Sequence, residues 1–304
     1  MFFYEKTYSN DFVRCGNCIG IYVFFNHFPM KIDIPDSINL KIPGRYILTV
    51  YVHPEKFSFS FHCPDDPESY FFYKIDAFGQ TDAFSAFKDL FFENDFFNYP
   101  FQKVCVLAFS SWFTYIPSKI YSDKYKEDYI KFIFSEKEEK FLDYSILSPN
   151  ISVLYPVSEE VYDFFIRSFN EPLFIHYSMP MIAYLYSMNI KQKKQRMIIN
   201  VHEKGIDIFC FSQKMFLFGN HFPCEKPQDA IYYILYTWKQ LKMNRFVDSL
   251  SVTGERKQNE EFLKKLQLYI QHVHPEPIPA AYQFEIIDTK NIPFELAIFS
   301  LCEL

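Results

Sequence analysis

The chain has 304 residues, a net charge of −6, and 49% hydrophobic against 22% charged residues, enough apolar material for two ordinary domains and no signature of disorder. The acidic balance excludes a general nucleic-acid binder, which needs a basic face for phosphates, and no apolar run reaches the ~18 residues of a membrane helix. Only 7 glycines accompany 38 Phe and 23 Tyr, and that scarcity matters because phosphate-cradling loops depend on glycine.

Glu5, Lys6, Asn10, Asp11 and Arg14 interrupt the aromatic N-terminus, which does not fit a secretory signal, so a cytoplasmic protein is expected. Its cysteines then read as reduced thiols. Cys15-Gly16-Asn17-Cys18 has redox-pair or half-zinc-site spacing. A reactive pair opens a helix, whereas this one runs into strand-like Ile19–Phe25, so it reads as idle.

Short strands are expected near 19–25 and 31–34. Tyr46–Val52 and Phe57–Phe61 follow as apolar or alternating strands around a His53-Pro54-Glu55-Lys56 turn, and Tyr70–Ile75 makes a third. Asp82 caps a helix with Phe84, Phe87 and Phe91 on one face. Val104–Phe109 reads as a buried strand, 118–140 as charged and partly helical, and Ile151–Tyr155 as a strand closed by Pro156. Ser158 caps a helix bearing Val161, Phe164 and Phe165, followed by a strand at 173–176 and a helix around 180–188. Lys191-Gln192-Lys193-Lys194-Gln195-Arg196 reads as a solvated connector. The same grammar then restarts: strands at Met197–Val201 and Ile206–Phe211, a third opening at Met215–Gly219, a helix with Ile231, Ile234, Leu235, Trp238 and Leu241 as its stripe, and a strand at Leu250–Thr253.

These two halves look like copies. His53 and His202 stand 149 positions apart before matching strands, Asp82 and Asp229 are 147 apart, and Leu107–Ser110 answers to Leu250–Thr253 at 143. Two copies of strand, strand, strand, helix, strand, helix imply mixed sheets with flanking helices. The runs Arg45–Val52 to Ser60, Phe113–Asp123, Asp229–Tyr233, Leu250–Glu255 and the Leu301-Cys302-Glu303 ending resemble a family of uncharacterised bacterial proteins with an actin-like ATPase fold. That resemblance implies an α/β protein of two actin-like (ribonuclease-H-like) lobes with internal duplication. The expected division is an N-terminal lobe over 1–157, including a 1–44 extension, and a C-terminal lobe over 158–304, joined by a 158–196 connector.

In such folds two Asp-x-Gly hairpins cradle the nucleotide phosphates and magnesium across a cleft. By analogy the cleft turns here are His53, Glu55 and Lys56 in the first hairpin, His202, Glu203, Lys204 and Gly205 in the second, and Thr253 with Gly254 on the adenosine side. No glycine of the chain has Asp two positions before it, and Pro54 removes a backbone donor from the first turn. P-loop, Gly-x-Gly-x-x-Gly and Gly-x-Ser-x-Gly patterns are absent. His272-Val273-His274 with Glu276 sits among prolines and reads as an exposed turn, not a metal site. No catalytic residue, metal ligand or cofactor is assigned. The expectation is a non-catalytic interaction or scaffold protein with a protein partner, for which an exposed Phe/Tyr patch is a candidate docking surface, with no nucleic acid and no membrane span. Its alternatives are an actin-like ATPase binding ATP with magnesium, with Glu55, Glu203 or Asp207 in the magnesium role, and a redox or zinc protein using Cys15 and Cys18.

Overall fold

Ile47–His53 (β1) and Lys56–Cys63 (β2) are buried along almost their whole length, and in β2 Phe57, Phe59 and Phe61 alternate with Ser58, Ser60 and His62. Successive strand residues point to opposite faces, so this hairpin has one aromatic face and one small, polar face, both covered. The computed structural model describes residues 31–36, 38–76, 82–134, 139–189, 194–213, 215–254, 256–276 and 292–301. The strand expected at 19–25, the Cys15/Cys18 pair and part of the basic run lie outside them.

Asp66–Asp76 (β3) completes the antiparallel meander, and Ala83–Glu93 (α1) follows with the Asp82 carboxylate accepting from the Phe84 and Ser85 amides. Lys103–Ala108 (β4) pairs in parallel with β1. The chain then builds a separate sheet from Thr114–Pro117 (β5), Lys140–Leu147 (β6) and Asn150–Val157 (β7), with helix Lys126–Ile133 (α2) between β5 and β6. Glu159–Ser168 (α3), capped by Ser158, leads to Leu173–His176 (β8) and Ser178–Asn189 (α4).

The second half repeats the plan: Gln195–His202 (β9), Gly205–Ser212 (β10), Met215–Pro223 (β11), Pro227–Gln240 (α5), Ser249–Gly254 (β12), Arg256–Gln267 (α6) and His272–Pro275 (β13), ending in Phe294–Phe299 (α7). The two five-stranded sheets have the orders β3-β2-β1-β4-β8 and β11-β10-β9-β12-β13. In both, the first three strands form an antiparallel meander and the last two run parallel to the third. Two sheet-bearing lobes of one duplicated plan follow directly.

Several expectations are corrected. Residues 31–34 form no strand; the Ile32 amide donates instead to the Asn94 side chain. Ile151–Tyr155 belongs to the inserted sheet, and β7 runs on through Pro156 rather than closing there, with only β6 beside it at that point. The fifth strand of the first sheet is β8, paired with β4; residues assigned to a connector after 157 therefore hydrogen-bond within the first lobe. Arg196 is no solvated connector residue. It is buried in β9, donating to Ser251 and pairing with Glu276. Pairing also resets one repeat offset, because Val52 faces Ala108 while Val201 faces Gly254. Ala108 thus matches Gly254, 146 positions on, rather than at 143.

Alternation in β9 and β10 decides how the lobes meet. Met197, Ile199, Val201, Ile206, Ile208 and Cys210 face outward onto a core shared with Ile234 and Trp238 of α5 and Phe262 and Leu266 of α6. The opposite face presents Ile198, Phe209 and Phe211 to the aromatic core of the first lobe, which includes Phe57, Phe87 and Phe165. Among the described residues no helix is long and apolar enough to cross a membrane.

Candidate functional site at the junction of the two hairpins

On that inward face of the second sheet three polar residues stand in one cross-strand row. Asp207 of β10 is the register partner of Asn200 in β9 and of His221 in β11. His202, two residues beyond Asn200, points to the same face. A carboxylate at 0% exposure is tolerable only if hydrogen bonds replace its lost hydration, and here they do. Tyr177 Oη donates to Oδ1 at 2.7 Å and His221 Nδ1 at 2.8 Å, while His202 Nε2 lies 2.5 Å and Asn200 Nδ2 3.3 Å from Oδ2. Asn200 also donates to Glu295 Oε1 at 2.5 Å, tying in α7.

Burial works to raise the Asp207 pKa, but the charge and hydrogen bond of His202 and the hydrogen bond from His221 outweigh it and hold the carboxyl well below the usual range. Burial likewise works against a charged His202, yet Asp207 and then Glu295 bring its pKa above the ordinary imidazole value. One ligand atom from each of His202, Asp207 and His221 lies within 4.8 Å of the other two, so these are the side chains that a metal ion would engage.

The first hairpin answers with different chemistry. His53 Nδ1 accepts from the Glu55 amide at 3.2 Å, and burial, aided by Lys56, pushes its pKa down to about 3. Its ring lies 4.4 Å from Phe109 and 6.4 Å from His202, stacked on the latter. Phe109, just past β4, also touches Tyr177, His202 and His221 at ring distances of 4.6, 5.6 and 5.4 Å. Outside this plug Glu55 pairs with Lys204 across the two turns. A second network lies behind it: Ser178 Oγ meets both Tyr115 Oη and His176 Nδ1 at 2.6 Å, and His176 Nε2 donates to the Ser110 carbonyl at 3.2 Å.

Gly205 and Gly254 have specific tasks. A Cβ at Gly205 would lie 2.6 Å from the His221 ring, and one at Gly254, whose φ is +98°, would fall 2.2 Å from the Val201 carbonyl oxygen. The glycine expected to admit phosphate therefore admits a histidine, and the one expected on the adenosine side lets β12 close on β9. A cavity of about 310 Å³ lies in the second lobe alone, lined by His202, Glu203, Gly205, Lys226, Phe262 and Lys265 among others.

The structure brings His53, Glu55, His202 and Lys204 together, with Lys56 and Gly205 pairing beside the two histidines and Thr253 facing Asn200. Glu203 is exposed at the cavity rim. Sequence reasoning missed Asn200, His221, Phe109, Tyr177 and Glu295. The third strand, expected to open at Met215–Gly219, runs on to Pro223 and carries His221; the signal available in the sequence is a charged Asp207 inside the apolar run Ile206–Phe211. His272, Val273 and His274 form β13 rather than a turn, and alternation sends the buried Glu276 to Arg196.

Paired sheets of this order meeting at their hairpins are the actin-like plan. A Bacteroides thetaiotaomicron protein described as having an actin-like ATPase fold and unknown function is 24% identical, with a TM-score of 0.76 over 88% of this chain and 99% of that one. A chain of the PilM–PilN type IV pilus biogenesis complex is 10% identical, with a TM-score of 0.54 over 86% of this chain and 97% of that one. A comparison with curated proteins finds no match. Residues 35–273 match the family described as "Protein of unknown function (DUF3822)", and the chain belongs to that family.

Proposed function

We propose that this chain is a non-catalytic interaction or scaffold module of the bacterial cytoplasm, built on an actin-like fold whose nucleotide cleft has been closed by its own side chains. The observation that carries this reading is the direct docking of the two hairpins: His53, Phe109 and His202 fill the space between the turns, and Glu55 pairs with Lys204 outside them. Phosphates held between such hairpins need backbone amides and an open gap, whereas the space is taken by rings.

The ATPase reading fares worse on the same geometry. Asp207 is flanked by two imidazoles, nitrogen donors that magnesium does not take, and Glu55 Oε1 is paired with Lys204, so neither carboxylate stands in the oxygen-rich surroundings magnesium needs. A protein partner fits a fold that, in the PilM–PilN structure, occurs within a complex, and the net charge of −6 speaks against nucleic acid. Calorimetric titration with ATP and magnesium should give no heat of binding. A dissociation constant at or below about 10 μM, roughly −7 kcal/mol, would reinstate the ATPase alternative.

A further inference from the structure

We propose that His202, Asp207 and His221 form a binding site for a divalent transition-metal ion of the zinc type. Imidazole nitrogen and carboxylate oxygen are the donors that zinc and its neighbours take up, and here two imidazoles flank one carboxylate with all ligand atoms within 4.8 Å. The three come from three adjacent strands held in fixed register, so the sheet itself sets their spacing. Gly205 shows how closely that spacing is kept, since any side chain there would strike the His221 ring.

Supporting groups are in place. Tyr177 and Asn200 hydrogen-bond the Asp207 oxygens, the outer-shell arrangement that orients a ligating carboxylate. Asp207 and Glu295 are both buried, and the hydrogen bonds to Asp207 come from imidazoles, a phenol and an amide rather than from lysine or arginine. A divalent ion supplies positive charge where two buried carboxyl groups converge.

Bonds of about 2.0–2.2 Å to a tetrahedral ion hold neighbouring ligand atoms about 3.3 Å apart. The His202–Asp207 and His221–Asp207 contacts are 2.5 and 2.8 Å. Loading therefore replaces two N–H···O bonds with coordinate bonds and spreads the ligand atoms by about half an ångström or somewhat more; a neutral imidazole shifts its displaced proton to the other ring nitrogen, and an imidazolium releases one proton to solvent.

The test is to strip the full-length protein with a chelator and titrate Zn²⁺ against a chromophoric competitor, then repeat with Co²⁺ and record its visible spectrum. One equivalent should bind with a dissociation constant below about 1 μM, Asp207→Asn and His221→Gln should each weaken binding by about 100-fold, and a Cys15→Ser/Cys18→Ser double variant should bind as well as the parent. The cobalt spectrum should show ligand-field bands with no thiolate charge transfer. Substoichiometric zinc at about 10 μM free metal, loss of binding in the double cysteine variant, or a thiolate band would each overturn the proposal. If the Asp207 and His221 variants fail to fold, the parent stoichiometry and cobalt spectrum decide alone.

Discussion

The two hairpins occupy equivalent places in a duplicated fold, yet their histidines behave oppositely. His53 and His202 each end the first strand and pair with the first residue of the next, Lys56 or Gly205. Burial pushes His53 down to about 3, whereas burial of His202 is outweighed by Asp207 and its pKa rises. The difference traces to one position. Ser58 faces Tyr51 in β2 where Asp207 faces Asn200 in β10, so the first lobe offers a hydroxyl where the second offers a charge. Shared backbone geometry fixes where a side chain stands, and the neighbour across the strand fixes its protonation.

Removing the distinguishing residue should have the largest effect. Asp207→Ala strands two imidazoles, a phenol and an amide in the interior and should cost about 3–5 kcal/mol. Ser58 Oγ is buried with no hydrogen-bond partner among the described residues, so Ser58→Ala should change stability by less than about 1 kcal/mol. Urea unfolding of the pair checks both, and comparable losses would break the asymmetry. Next comes Gly254→Ala, expected to cost about 1–3 kcal/mol because its φ is +98° and a Cβ would meet Val201 backbone. Ala108 holds the equivalent place in the first lobe with its Cβ accommodated. Equal stability of the glycine variant and the parent in thermal unfolding would show that β12 does not close on β9 as described.

The smallest effect near neutrality is the dependence on acid. Burial depresses His53 and His176 to about 3 and His62 to about 4. Below the unfolded value of about 6.5 the unfolded chain takes up protons that the native state refuses. Stability from these groups is therefore present above that pH and is lost as pH falls, by about 1 kcal/mol per histidine over the first unit. His53→Gln should flatten the slope of stability between pH 6.5 and 5.5; an unchanged slope would mean that His53 titrates normally.

Much of this architecture is legible in the residues. Period-2 runs mark β1, β2, β9 and β10, Asp82 and Ser158 cap α1 and α3 as expected, and the repeated His turns reveal the duplication. What escapes is nonlocal. Nothing adjacent to β8 tells that its partner is β4, some seventy residues earlier, across an inserted sheet. The row Asn200, Asp207, His221 exists only once three strands are in register, and α7 delivers Glu295 from the far end of the chain. Gly205 misled for a physical reason: a glycine marks close approach by something, and only the structure says that the something is His221 rather than a phosphate.

The two turns close on each other through Phe109, and nuclear Overhauser contacts on selectively labelled protein test that closure. Phe109 lies 4.4 Å from His53 and 5.6 Å from His202 by ring centroids, so its ring protons should give cross-peaks to both histidines. These should persist unchanged in a large excess of ATP and magnesium. Cross-peaks to only one of the two, or their loss when nucleotide is added, would mean that the cleft opens and that the closed-cleft account is wrong.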